Sequence, residues 1–231
     1  MPPYGVPHVS VDHVPVEIGL PCGRMRGNAH AYTAFAMESF MDELAAKHKR
    51  EPLSYRMAML GEDTRLAACL QSVARLANWD GGADQSGQGL ACHRMGDAET
   101  GGRIACIADV SPGENGLRIA RICAVADIGR IVNLDIARQQ IEGGIVFGLA
   151  MAMGASTRYS GGLPTAQRLA DLNLPRLADC PEIDVDFITS DAPPADPGEL
   201  GAAVAAPAIA NAIYSATGLR LRHLPLLSEG I

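Results

Sequence analysis

An α+β fold is predicted by three observations on the 231-residue sequence. The first 80 residues carry helical periodicity, residues 89–127 hold three strand-like runs, and the remainder mixes helices and strands without strict βαβ alternation. With 48% apolar residues the chain can bury a substantial core, as one large domain or two small ones.

Residues 1–27 are rich in Pro and Gly, and the alternation over residues 8–20 predicts an edge-type strand interrupted by prolines. Residues 28–47 predict a helix whose buried stripe is Tyr32, Phe35, Ala36, Ser39, Phe40, Glu43 and Leu44, with Glu38, Asp42 and Lys47 as polar positions. Pro52 suits the first turn of a short second helix reaching about residue 60. A third helix, residues 64–79, places Leu66, Leu70, Val73, Leu76 and Ala77 at helical spacing and stops at Gly81-Gly82. The Gly-rich polar stretch 80–89 reads as a linker, dividing a helical part (residues 1–80) from an α+β part (residues 81–231).

Strands are expected over residues 89–95, 103–111 and 117–127. The last two are joined at Pro112-Gly113-Glu114-Asn115-Gly116, where Asn-Gly favours a hairpin. Residues 134–156 form a long helical pattern containing Gly143, Gly144, Gly148 and Gly154. Each glycine costs about 1 kcal/mol relative to Ala, so close approach of another backbone or a ligand is needed to explain them. Then come a strand over 183–189, an Ala-rich helix over 207–217 stopped by Gly218, and a final strand over 219–226.

A formal charge of −7 argues against nucleic-acid binding. No unbroken run of 18 apolar residues exists, so no membrane span is expected. Met1-Pro2-Pro3-Tyr4 has neither a basic nor an apolar leader region, so no secretory signal is expected. The six cysteines (22, 69, 92, 106, 123 and 180) are scattered, without a C-x-x-C pair. They read as reduced, mostly buried thiols of a cytosolic-type protein, not as ligands of zinc or an iron–sulfur cluster. The histidines do not cluster in sequence, and no intrinsic metal site is expected.

Four stretches are candidates for chemistry, each with a plainer alternative. Gly23-Arg24-Met25-Arg26-Gly27-Asn28-Ala29 leads into a helix, where free N–H groups beside an arginine suit an anion; the alternative is a solvated surface loop. In Asp127-Ile128-Gly129-Arg130-Ile131-Val132-Asn133, capping by Asn133 would suffice without function. Gln140-Ile141-Glu142-Gly143-Gly144 offers Gln140 to a ligand, or else a packing seam of small residues. In Gly198-Glu199-Leu200-Gly201, a carboxylate between glycines can act as a general base, or can simply favour a helix start.

Taken in order, these stretches resemble the molybdopterin-binding subunits of the xanthine dehydrogenase/aldehyde oxidoreductase family. Arg26-Gly27-Asn28-Ala29 followed by Glu38-Ser39-Phe40-Met41-Asp42-Glu43-Leu44-Ala45 is similar to that family's R-[GS]-x-G…E-S-F-x-D-E-L-A. Glu51-Pro52-Leu53-Ser54-Tyr55-Arg56 resembles D-P-[LV]-x-[FY]-R, and residues 127–133 resemble D-x-G-x-x-[IV]-N. Residues 140–149 resemble Q-[IMV]-E-G-G-x-x-x-G-L, in a form closest to isoquinoline 1-oxidoreductase beta subunits. Gly198-Glu199-Leu200-Gly201 with Pro207-Ala208-Ile209-Ala210-Asn211-Ala212-Ile213 resembles G-E-x-G…P-A-[IV]-A-N-A-[IV]. The departures are Ala29 for the last Gly of the first loop, Leu134 for Pro, and Ala195-Asp196 where a Gly pair often stands. Gly87-Gln88-Gly89 has the letters of a family cofactor loop but lies in the linker, where it reads as chance.

The resemblance implies the C-terminal portion of a molybdenum hydroxylase large subunit, incomplete alone. It implies hydroxylation of an N-heteroaromatic or oxidation of an aldehyde with a water-derived oxygen. Glu199 would be the base, Gln140 would contact the pterin, and Arg26, Gly27 and Gly198 would belong to the cofactor loops. The implied cofactor is molybdenum on molybdopterin in its cytosine dinucleotide form. The implied partners are the missing N-terminal part of the subunit, an iron–sulfur subunit that removes electrons, and a small-molecule substrate. The implied compartment is the cytoplasm, or the periplasm if exported with a partner. The rival reading is a remnant or assembly module without cofactor or catalysis. A Rossmann-type nucleotide binder is the weakest option, since no G-x-G-x-x-G follows a strand.

Overall fold

A computed structural model describes residues 2–20, 23–113 and 116–226. Helices α1 (Asn28–Lys47), α2 (Pro52–Met59) and α3 (Thr64–Leu76) precede strands β1 (Gln88–Met95), β2 (Gly102–Gly113) and β3 (Gly116–Asp127). Helix α4 (Leu134–Met153), the two-residue strands β4 (Tyr159–Ser160) and β5 (Leu163–Pro164), strand β6 (Glu182–Phe187) and helix α5 (Leu200–Thr217) follow. The main sheet has the order β1-β2-β3-β6. Its first three strands are antiparallel neighbours, and β6 runs parallel to β3, Arg121 opposite Glu182 through Ala126 opposite Phe187. A parallel neighbour needs a long crossover, and the segment containing α4 provides it. The expected α+β class is the class observed.

Strands β1–β3 are buried on both faces, so alternate residues enter two cores. Ile104, Cys106, Ala108, Ile122, Ala124 and Ala126 face α4 and α5. Leu90, Cys92, Ala105, Ile107, Cys123 and Val125 face the first three helices through Met41, Leu66, Leu70 and Val73. Gly89 gives β1 its closeness to α5: a Cβ there would lie 2.0 Å from the Ala212 nitrogen. The Gly87-Gln88-Gly89 stretch thus opens an edge strand instead of lying in a linker.

Helix caps follow the sequence closely. Glu51 accepts hydrogen bonds from the Leu53 and Ser54 nitrogens ahead of Pro52, Asp63 accepts from Leu66, and Asn133 accepts from Ile136. Gly154 ends α4 and Gly218, in the left-handed region, ends α5.

Several expectations need correction. The buried face of α1 is Ala31, Ala34, Phe35, Glu38, Ser39, Met41, Asp42 and Ala45, whereas Tyr32 and Phe40 are 62% and 55% exposed. The stripe is turned because Glu38 and Asp42 are drawn inward by Arg56, which donates to Glu38 Oε2 at 2.9 Å. Helix α5 begins at Leu200, with Pro207 inside it, because the run from Leu200 to Ile213 is buried throughout and packing overrides the proline. Residues 8–20 form no strand; Val11, Val14 and Val16 are exposed there. Residues 219–226 form no strand either, and Leu221 and Leu226 enter the core as irregular chain. Gly113 pairs with Gly116 across the β2–β3 hairpin, but the tip, Glu114-Asn115, lies outside the described residues, as does Cys22. The five described cysteines are free thiols, four of them buried.

The 18 residues of α5 are long and apolar enough to cross a membrane by length and composition alone. However, 83% of that helix is buried inside the protein, the situation of a core helix.

Candidate functional site

The site forms where the starts of α1 and α5 meet the middle of α4. Arg26, in the loop ahead of α1, donates from Nε to the Gly198 carbonyl at 2.7 Å and from Nη2 to the Gln140 carbonyl at 2.8 Å. A longer contact of 3.3 Å joins the same Nη2 to Gln140 Oε1. One guanidinium therefore ties together chain segments 114 and 172 residues away. Its planar fork suits this task better than a lysine would.

Gly27 is the N-cap of α1 with φ 90, a left-handed conformation that glycine adopts without a Cβ clash. A Cβ there would lie 3.0 Å from that of Ala31 and 3.4 Å from that of Ala202 on α5. Gly198 precedes α5, its N–H bonded to Asp196 Oδ1 at 2.8 Å, and a Cβ on it would lie 3.4 Å from Gln140 Oε1. Glu199, half-buried, is the N-cap of α5 but does not use its side chain to cap. Its two carboxylate oxygens instead accept from Asn28 Nδ2 at 3.0 and 2.8 Å. Thus Arg26, Gly27, Gln140, Gly198 and Glu199 come together at one place.

The glycines of α4 serve packing. A Cβ on Gly148 would approach the Ala205 Cβ to 2.8 Å, and one on Gly144 would lie 3.2 Å from the Ala202 nitrogen. Across the seam, a Cβ on Gly201 would lie 2.4 Å from the Ile141 carbonyl oxygen. Small residues on both helices let the backbones touch, and this fixes Gln140 relative to Glu199. Gly143 differs, since a Cβ there would meet the Arg26 guanidinium at 3.3 Å.

The Asp127-Ile128-Gly129 turn acts one step further back. Asp127 accepts from Arg65 at 2.6 and 2.9 Å, from the Gly129 nitrogen at 3.0 Å and from the Ser190 hydroxyl at 2.8 Å. Burial would raise the Asp127 carboxyl, but these donors outweigh it and hold the group below the ordinary carboxylate value. The turn then binds the loop leading to Glu199: Arg130 N–H donates to Ala192 O at 2.9 Å and Ala195 N–H to Ile128 O at 2.8 Å.

Sequence reasoning missed a histidine pair beside the site. His30, in the first turn of α1, lies with Nδ1 2.9 Å from Nε2 of His93 on β1. Burial pushes His93 down to about 3, so its imidazole is neutral. Burial also lowers His30, against the opposing pull of the Glu199 charge. The two residues are 63 positions apart, and no sequence signal joins them. Among the described residues no group of three or more His, Cys, Asp or Glu is arranged to hold a metal.

The contacts of Arg26 with Gln140 and of Asn28 with Glu199 are open to solvent. Two clefts lie elsewhere, one lined in part by Trp79 and Tyr214, the other by Tyr4, Arg65, Arg94 and Arg103.

Sequence and fold together place the chain among molybdopterin cofactor-binding domains. Residues 27–181 match the molybdopterin cofactor-binding domain family, and the chain belongs to it. It is 30% identical over 225 residues to the beta chain of isoquinoline 1-oxidoreductase from Brevundimonas diminuta, a match covering 96% of this chain and 29% of that protein. Similarity to a membrane-bound aldehyde dehydrogenase of Gluconacetobacter polyoxogenes is 30% over 227 residues, covering 88% of this chain and again 29% of the relative. A nicotinate dehydrogenase subunit from Pseudomonas putida is 28% identical over 250 residues, a match covering all of this chain and 21% of the relative. The chain thus spans less than a third of the length of these relatives. Among solved structures, the aldehyde oxidoreductase of Desulfovibrio gigas superposes with a TM-score of 0.68 over 88% of this chain and 40% of its own, at 14% identity. That likeness is one of fold.

Proposed function

We propose that the chain is the part of a molybdenum hydroxylase large subunit that carries the catalytic base and one wall of the cofactor site. With the rest of the subunit it hydroxylates an N-heteroaromatic compound or oxidises an aldehyde, using a water-derived oxygen. The observation that carries this reading is the convergence of Arg26, Gly27, Gln140, Gly198 and Glu199 at the meeting of three helices. Residues 1–80 and 81–231 are, on this reading, the helical and α+β parts of one cofactor-binding region.

The residues present fit an anionic cofactor. Helices α1 and α5 both begin here without a side-chain cap, so their positive dipole ends suit an anion, although Asn28 N–H already donates to Met25 O at 2.9 Å and Leu200 N–H to Pro197 O at 3.4 Å. Arg26 adds positive charge between them, and the buried Gly27 lets the start of α1 pack against Ala202 of α5. Molybdenum on molybdopterin, in its cytosine dinucleotide form, would supply the redox chemistry and present the water-derived oxygen. Gln140 would contact the pterin, and Arg26 would hold Gln140 and Gly198 in register. Glu199 would accept a proton from the attacking oxygen, its role as general base. The openness of the site supports its closure by the remaining part of the subunit. Electrons would leave through iron–sulfur clusters on a partner. The free thiols support a reducing compartment, and we place the protein in the cytoplasm, or in the periplasm if a partner carries it there.

The test is Glu199→Gln in the complex assembled with its partner chains. Turnover should fall roughly 10²–10⁴-fold, the contribution of general-base catalysis, while molybdenum and pterin content stay at the wild-type level. Retained turnover would remove Glu199 from the role of base. A wild-type complex without molybdenum or pterin would make the chain a non-catalytic remnant.

A further inference from the structure

We propose that Asn28 is the positioning residue for the Glu199 carboxylate. The inference rests on the reading of Glu199 as base, but its first test does not. An ionised carboxylate only accepts hydrogen bonds, so it is the amide nitrogen of Asn28 that faces it, 3.0 and 2.8 Å from the two oxygens. The two residues stand 171 positions apart.

Three features make this more than a chance surface contact. Asn28 is itself in the left-handed region, φ 43, directly after Gly27 at φ 90. A non-glycine residue there is strained, and asparagine is among the few side chains that tolerate it. The carboxylate, for its part, does not cap its own helix, so nothing within α5 fixes its direction. Meanwhile the backbone at Gly198 is held on both sides, its carbonyl by Arg26 and its N–H by Asp196. The main chain of the base is thus set from the α1 loop, and its side chain is set from the first residue of α1. The remaining groups facing this spot are His30 on α1, whose ring feels the Glu199 charge, Gln140 on α4, and Arg26 and Asp196 in the flanking loops.

The side-chain contact is solvent-exposed, so it contributes little to stability and its effect is on orientation. That separates it from a structural role. In the full chain with 15N-labelled asparagine, the Asn28 side-chain amide is assigned by its loss in Asn28→Gly. Its proton shifts should move when the sample is acidified, and Glu199→Gln should abolish that movement. An amide that does not respond, or that still responds after Glu199→Gln, overturns the inference. Asn28→Gly suits the backbone, since glycine adopts φ 43 freely, so the melting temperature should hold or rise. In the assembled complex the same variant should lower kcat roughly tenfold to a hundredfold, the scale of a misplaced catalytic group, with KM nearly unchanged. An unchanged kcat, or a change confined to KM, overturns it as well. If Glu199→Gln retains turnover while the amide coupling is present, the assignment of the base fails and the contact stands.

Discussion

The two faces of the sheet are held by opposite means. Against one face, α4 and α5 meet through Gly144, Gly148, Gly201, Ala202 and Ala205, with backbones in contact. Against the other, α1 and α2 are joined through buried charge. Arg56, fully buried, donates to Glu38 Oε2 at 2.9 Å, to the Glu38 carbonyl at 3.0 Å and toward Asp42 at 3.5 Å. Glu38 also accepts from the Cys92 nitrogen at 3.0 Å and from the Tyr4 hydroxyl. Asp42 passes the network on to Arg220 at 2.6 Å, and Arg220 to Asn211 at 3.1 Å. The apolar seam places the site residues within a hydrogen bond of one another. The charged cluster fixes how α1, which delivers Gly27 and Asn28, lies on the rest.

The comparison predicts that the charged side is the more easily broken by one substitution. Arg56→Met leaves Glu38 buried without its counter-charge and Asp42 with Arg220 alone, and the cost should be about 3–5 kcal/mol by urea unfolding. A loss below about 1 kcal/mol would mean that the cluster contributes nothing net. On the apolar side the effect should be smaller. Gly201→Ala pushes a methyl toward the backbone of α4, and overpacking of this kind costs about 1–3 kcal/mol. Gly143→Ala, which meets only the movable end of Arg26, should cost less than either. Equal losses at Gly201 and Gly143 would refute the picture of a rigid seam.

The same contrast explains what the sequence revealed. Regions governed by local chemistry were legible: the cap at Asn133, the start of α2 at Pro52, the α3 stripe, and the strands ending at Met95 and Asp127. The face of α1 was not, because apolar periodicity assumes that charges point outward, whereas Glu38 and Asp42 point inward to an arginine on another helix. The start of α5 was hidden by Pro207, whose usual place is a first turn, while long-range packing extends the helix seven residues before it. The five residues that converge at the candidate site were singled out through ordered motifs; composition and spacing alone left each of them ambiguous. Asn28 stood inside one of those motifs, but its role depends on a contact with a residue 171 positions away. The pairing of His30 with His93 likewise exists only once β1 lies beside α1.

That histidine pair supplies the smallest and most selective prediction. His93 titrates near 6.5 when unfolded but is held down at about 3 when folded. The folded group therefore binds fewer protons across that interval, so stability is complete above pH 6.5 and declines as the pH falls toward 3. Between pH 7 and 5.5 the loss from His93 should be about 1 kcal/mol. His30, lowered in the same direction, adds to it. In His93→Gln the slope of stability against pH over that range should flatten, whatever the variant's absolute stability. A slope equal to that of the wild type would place the pH dependence elsewhere. Combining the substitution with Glu199→Gln then sharpens the test. Removing the Glu199 charge withdraws the one influence that raises His30, so His30 should titrate lower and the remaining slope should grow steeper.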